Sequence, residues 1–378
     1  MNPKIIVYLC VCRLSGKMKK QFTRIIVKIG SNVLTQPDGT LDVMRMSTLV
    51  DQIAELHKSG IEIILVSSGA VASGRSEIKN LKKLNSVDQR QLFSAVGQAK
   101  LINRYYELFR EHGIIVGQIL TTKEDFGTRR HYLNQKNCIG VMLEHGVIPI
   151  VNENDTVSVT ELMFTDNDEL SGLVAAMTDA QMLIILSNID GIYNGLPFDP
   201  TSTVIREIKP GDDLSDYIQQ TSLSSFGRGG MLTKAGIARK VADEGITVII
   251  ANGKRDNILI NLWGHPENTV CTRFIPSAQP VSNIKKWIAH SASFAKGEIH
   301  VNKPMVEVLY SNRAISILPV CITRVEGEFE RDDIVRIMDD ENNSLGVGKT
   351  SYTSSQVRAV MGKHGKRAVV HYDYLYLE

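Results

Sequence analysis

RIIVKIGSN, residues 24–32, is a short β-branched run that stops at a glycine turn, and it reads as a strand followed by Gly30-Ser31-Asn32. Downstream, Met46, Leu49, Val50, Ile53 and Leu56 recur at helical spacing, with Gly60 where a C-terminal cap belongs. IEIILVS, residues 61–67, then forms a continuous apolar run, as expected of a strand buried on both faces. A long helical stretch covers Val87 to His112. IIVGQIL, VIPIV, LIILS and ITVIIA, beginning at Ile114, Val147, Leu183 and Ile246, are further buried-type strands separated by helical segments. This rhythm predicts an α/β fold with a largely parallel sheet. Ligands of such sheets gather at the carboxyl ends of the strands, and the Gly/Ser-rich turns fall there.

The rhythm breaks after Phe274. A Ser/Pro-bearing stretch follows, and from Glu298 short strands alternate with tight turns. We therefore divide the chain into an extension at 1–21, an α/β domain at 22–275, a linker at 276–296 and a small β-rich domain at 297–378. Met18 is read as an alternative start.

With 378 residues, two domains are the default. Forty-three basic and 41 acidic side chains give a net charge of +2, which argues against an electrostatic nucleic-acid binder. Residues 298–378 carry ten basic against twelve acidic groups, a net −2, and argue the same way. Hydrophobic content of 43% with 22% charged residues argues against disorder. The longest suspicious apolar run, Ile5 to Cys12, has eight residues against the roughly 20 a bilayer span needs. Five cysteines without a C-x-x-C pair supply neither a zinc ribbon nor a disulfide framework, so we expect a reducing cytoplasm and no membrane.

The following clusters carry chemistry. Lys28 ends the first strand beside the Gly30 turn, where a phosphate could meet its charge. Ser67-Ser68-Gly69-Ala70 follows the second strand with hydroxyl and N–H donors, or serves as an ordinary helix cap. Asn152-Glu153-Asn154-Asp155 and Thr165-Asp166-Asn167-Asp168 crowd amides and carboxylates at a strand end and a helix start. Carboxylates there suit a substrate ammonium, and amides with helix N–H groups suit its carboxylates. Ser225 to Lys234, SFGRGGMLTK, is a glycine-rich turn opening a helix that presents a lysine. It has a phosphate-cradle design without P-loop spacing.

Other patterns fail. Gly348-Lys349-Thr350 lacks the first Walker glycine, because Asn343 stands there. Asp166-x-Asp168 lacks a calcium loop's glycine and closing glutamate. No G-x-S-x-G elbow anchors a hydrolase triad.

Together these clusters resemble the amino acid kinase family. VKIGSNVL, VSSGAVASGR, AVGQAKL, VNENDTVSV, FTDNDELS and GRGGMLTK occur in family order, and the tail from AKGEIHVN is similar to a PUA domain. The resemblance implies a three-layer α/β sandwich with a largely parallel central sheet, plus a C-terminal PUA-like domain. It implies ATP-dependent phosphorylation of the L-glutamate side-chain carboxylate to L-glutamyl 5-phosphate, the first step towards proline. Lys28, Ser187, Asn188, Arg228, Gly229, Gly230, Met231, Leu232, Thr233 and Lys234 would contact ATP. Ser68, Asp155 and Asn167 would hold glutamate, with Asn152 assisting.

Lys28, Lys234 and Asp168 are the expected catalytic set: the lysines neutralise transferring charge while Asp168 holds both. Mg²⁺ is expected on the phosphates with few protein ligands, so no metal-ligating residue is assigned. Ser187-Asn188 stands where many members carry Thr-Asp, and Arg228 replaces a small polar residue, so nucleotide contacts should differ there. The alternatives are a kinase for N-acetylglutamate, aspartate or UMP, and an RNA-binding regulator acting through the PUA-like domain. Expected partners are L-glutamate, proline as feedback inhibitor, a transiently bound reductase that makes glutamate 5-semialdehyde, and further copies of the chain.

Overall fold

A computed structural model describes residues 22–78, 84–127, 129–157, 167–196, 199–213, 231–278, 288, 295–311 and 315–377. The expected extension at 1–21, Arg228, Gly229 and Gly230 lie outside the described residues, as does most of the expected linker. The described residues fall into two compact units. One holds the residues before Lys123 together with those from Gln135 to 278; the other holds Lys123–Asn134 and the residues from 288 onward. Residues 123–134, read from sequence as part of the α/β domain, thus group with the second unit.

In chain order the first elements are β1 (Arg24–Ile29), α1 (Ser31–Leu34), α2 (Val43–Lys58), β2 (Glu62–Ser67), α3 (Ala70–Glu77) and α4 (Ser86–Glu111). Next come β3 (Val116–Thr121), α5 (Glu124–Gly127), α6 (Arg129–Glu144), β4 (Ile148–Glu153), α7 (Asn167–Met177) and β5 (Met182–Ser187). The first unit closes with β6 (Glu207–Ile208), α8 (Met231–Asp243), β7 (Thr247–Asn252), α9 (Ile258–Gly264) and β8 (Thr272–Phe274).

These strands form one sheet in the order β3-β4-β2-β1-β5-β7-β8-β6. All neighbours from β3 to β7 are parallel, and β8 runs antiparallel to β7. The strands β1, β2, β4, β5 and β7 are buried almost throughout, as continuous apolar runs require. The run from Ile114 departs from that expectation. Its strand, β3, stands at the sheet edge and is only partly buried, and Ile115 just before it is 65% exposed.

Side-chain alternation splits the sheet into two faces. Ile25, Val27 and Ile29 join a core cluster with Leu49 and Ile53 of α2, Leu101 and Tyr105 of α4, and Leu262 of α9. Lys28 falls on the opposite face, where α7 packs on β1, β2, β4 and β5, and α8 packs on α7 and β7. Two helical layers therefore enclose the sheet.

The second unit contains β9 (Gly297–Val301), α10 (Lys303–Leu309), β10 (Ile322–Gly327), β11 (Ile334–Met338), β12 (Ser344–Thr350), α11 (Ser354–Val360) and β13 (Val370–Leu377). Its strands pair in the order β10-β9-β11-β12-β13 around a core that includes Ile299, Val335, Ile337 and Val370.

Candidate active site

Parallel pairing brings the carboxyl ends of β4, β2, β1 and β5 to one edge of the sheet. The chain proceeds from β1 outward through β2 on one side and through β5 on the other, so a crevice opens where the order reverses. Gly30 follows β1 there. A Cβ at Gly30 would sit 3.2 Å from the Leu186 carbonyl and 3.6 Å from the Lys28 Nζ, so a side chain there would crowd β5. Its own N–H donates to the Leu186 carbonyl at 3.1 Å and so belongs to the sheet.

Asp168, the second residue of α7, is completely buried at the centre. Lys28 Nζ lies 2.5 Å from its Oδ1 and Lys234 Nζ 2.7 Å from its Oδ2. Lys28 is 2% exposed, and Lys234, in the first turns of α8, is 13% exposed. Two ammonium groups against one carboxylate leave a positive surplus in a desolvated place, where Coulomb attraction is strong. The start of α7 adds its helix dipole. Such a place suits a polyanion.

A second cluster lies beside it. Asn167 Nδ2 donates to Ser68 Oγ at 2.8 Å and to Asn152 Oδ1 at 3.1 Å, while Asn152 Nδ2 donates to Gln98 Oε1 at 2.8 Å. The Asn167 Oδ1 is buried without a hydrogen-bond partner among the described residues, leaving an acceptor for a ligand's donor. Asp155, 7% exposed, accepts from Arg90 Nε at 2.9 Å and from Arg90 Nη2, and Ser94 Oγ donates to its other oxygen at 3.0 Å. Arg90 Nη2 also reaches Glu153 Oε2 at 3.3 Å.

Residues 23–252 match the amino acid kinase family and residues 297–372 the PUA domain. The chain belongs to the amino acid kinase family. Similar full-length members include the glutamate 5-kinase of Bacteroides thetaiotaomicron, 76% identical over 361 residues that make up 96% of this chain and all of that protein. The glutamate 5-kinase of Chlorobaculum tepidum is 46% identical over 94% of this chain and 98% of its own. The fold of this amino acid kinase is thus the expected parallel α/β sandwich with a PUA domain behind it in sequence.

The predicted residues of this kinase are distributed as follows. Lys28, Asp168 and Lys234 meet; Ser68, Asn152 and Asn167 meet; Asp155 joins Arg90 rather than the asparagines. Ser187 is buried at the end of β5 and the adjacent Asn188 is exposed, their side chains 3.4 Å apart. Met231, Leu232 and Thr233 open α8.

Sequence reading missed Arg90, Ser94 and Gln98, although their spacing of four places them on one stripe of α4. It also missed Asp190, which accepts from both Arg255 Nε and Nη2 at 2.6 Å and from Asn252 Nδ2 at 3.0 Å. Those hydrogen bonds, Arg255's first, hold the Asp190 carboxyl below its ordinary range and raise the guanidinium in turn. No motif signalled this pair, because its members are separated in sequence. An open groove of about 610 Å³ along α9, lined by Arg255, Asn261 and His265, contains none of the predicted residues.

Proposed function

We propose that the chain transfers the γ-phosphoryl group of ATP to the side-chain carboxylate of L-glutamate, giving ADP and L-glutamyl 5-phosphate. The single observation that carries this is the buried Asp168 shared by Lys28 and Lys234. The relatives' activity, over nearly the full chain, supplies the substrate class.

A side-chain carboxylate with a reference pKa of about 4.3 is already ionised at neutral pH, so the nucleophile needs no general base. The obstacle is bringing one anion onto another. Lys28 and Lys234 meet the charge spread over the transferring oxygens, and Asp168 holds their ammonium groups in place as a positioning residue. Ser68, Asn152, Asn167 and Asp155 take the amino acid: the unpaired Asn167 acceptor is assigned to its ammonium, with the Asp155 carboxylate, held by Arg90 and Ser94, adding negative charge nearby. Ser187, Asn188 and residues 228–233 take the nucleotide.

Mg²⁺ fits this donor set through the nucleotide. Asp168 is occupied by lysines and Asp155 by Arg90, so the ion's ligands would come chiefly from phosphate oxygens and water. When bound it would screen the phosphate charge.

The product supplies further partners. An acyl phosphate carrying an amine on the same short chain can cyclise, so a reductase that makes glutamate 5-semialdehyde should consume it quickly, through transient contact. Proline as feedback inhibitor, a homo-oligomer, a cytoplasmic location and the domain limits 22–275 and 297–378 complete the reading. No helix among the described residues is long and apolar enough to cross a membrane.

The test is a coupled ADP-release assay across glutamate, aspartate, N-acetylglutamate and UMP. Turnover with glutamate alone is expected. Preferred turnover of any other acceptor overturns the assignment.

A further inference from the structure

The α4 stripe deepens the proposed function and rests on it. In a 26-residue helix, Arg90, Ser94 and Gln98 lie one above another, and each reaches a residue assigned to the amino acid. Arg90 and Ser94 occupy different oxygens of Asp155, so its carboxylate can neither rotate nor retreat. Gln98 accepts from the Asn152 amide and thereby turns the Asn152 oxygen towards Asn167.

The height of that stripe is set by the backbone. Gly97 sits between Ser94 and Gln98. A Cβ on it would lie 1.8 Å from the Ala70 carbonyl oxygen and 2.3 Å from the Gly74 nitrogen of α3. Gly74 answers from the other side: its Cβ would lie 1.9 Å from the Phe93 carbonyl oxygen. Helices α3 and α4 therefore touch backbone to backbone, and α3 begins directly after Ser68 and Gly69. The same crossing thus locates Ser68 at one end and the Arg90–Ser94–Gln98 stripe at the other.

We infer that Arg90, Ser94 and Gln98 are positioning residues that set affinity for the amino-acid substrate, with the Gly74–Gly97 crossing as their mount. Their hydrogen bonds run to Asp155 and Asn152, whereas Lys28 and Lys234 are paired on Asp168, so acceptor KM and kcat report on different sets of side chains. Losing a hydrogen bond to a charged group costs about tenfold or more in affinity, and displacing bound geometry by about 1 Å costs up to ~10²-fold.

The experiment first establishes which acceptor the wild-type full chain phosphorylates, which tests the proposed function separately. It then measures KM for that acceptor, KM for ATP, and kcat in Ser94→Ala, Gln98→Ala, Arg90→Gln, Arg90→Lys and Gly97→Ala. Thermal midpoints and ATP binding report folding. Ser94→Ala should raise the acceptor KM about tenfold, and Arg90→Gln should raise it more, with Arg90→Lys recovering part of that loss. ATP KM and kcat should stay within about twofold. Gly97→Ala should raise acceptor KM although it removes no polar group. An unchanged acceptor KM in both Ser94→Ala and Arg90→Gln overturns the inference. So does an ATP KM that rises in step with the acceptor KM, which would make the stripe merely structural.

Discussion

Lys28 of β1 and Lys234 of α8 are held on the two oxygens of one carboxylate, that of Asp168, at 2.5 and 2.7 Å. A lysine bears its charge on a long flexible stem, and fixing two of them side by side opposes their mutual repulsion. The buried Asp168 offsets that repulsion, and the three groups together carry a positive surplus. Everything proposed for phosphoryl transfer depends on this arrangement.

Replacing either lysine should therefore damage turnover more than binding. Lys28→Ala and Lys234→Ala are each expected to lower kcat by ~10²–10³-fold, with a smaller change in glutamate KM, as the loss of one preorganised transition-state donor does. Steady-state kinetics on both variants checks this, and near wild-type turnover in either ends the two-lysine mechanism.

Asp168→Asn should cost both activity and stability. It leaves two buried ammonium groups facing a neutral amide, and breaking a buried pair from one side typically destabilises by about 3–5 kcal/mol. A denaturant titration should show the lower midpoint. An unchanged midpoint together with lost activity would mean that Asp168 acts in chemistry alone.

On the substrate side, Asp155→Ala should raise the glutamate KM strongly and leave the ATP KM nearly unchanged. An equal change in both would place Asp155 outside the amino-acid site. Because Arg90 pairs with Asp155, the double variant with Arg90→Gln should be less impaired than the product of the single effects.

Gly74→Ala offers a stability test in which propensity and packing disagree. Alanine inside a helix normally gains about 1 kcal/mol over glycine. Here its methyl would meet the Phe93 carbonyl at 1.9 Å, so we expect a loss of about 1–3 kcal/mol, measured by thermal or chemical unfolding. A stabilised Gly74→Ala protein would refute the backbone contact between α3 and α4.

The Asp190–Arg255 pair predicts a pH effect. Its hydrogen bonds lower the Asp190 pKa from the ordinary 3.8, so its stabilisation is present above that value and fades as pH falls through the lower folded value. The pair is partly exposed, so the contribution should not exceed about 1 kcal/mol. Asp190→Asn should be the less stable protein at pH 7 and lose less than wild type on acidification below about pH 4. Parallel stability–pH curves for the two proteins would contradict this.

The strands were legible because burial on both faces demands continuous apolar runs, and RIIVKI, EIILVS and MLIILS are apolar at four, four and five of their six positions. The long helix at 86–111 coincides with the helical stretch read over Val87 to His112. Edge position was not legible, since IIVGQIL is as apolar as its buried neighbours. What made β3 half-exposed is the order of pairing, which no local composition encodes.

For the site, residue type and local spacing marked the stretches around Lys28, Ser68, Asn152 to Asp155, Asn167-Asp168 and Lys234, and the family resemblance named the residues within them. Which of them share a counter-ion, and which are held by others, was decided only by tertiary structure. Asp168 meets Lys28 because β1 and α7 stack face to face, and it meets Lys234 because α8 lies against α7. Arg90, Ser94 and Gln98 acquire their partners only because β4 and the turn after it bring Asn152, Glu153 and Asp155 against α4. Electrostatic pairing falls off with distance in space and is indifferent to distance along the chain. Local pattern therefore determined the parts, and packing across the sheet determined their partners.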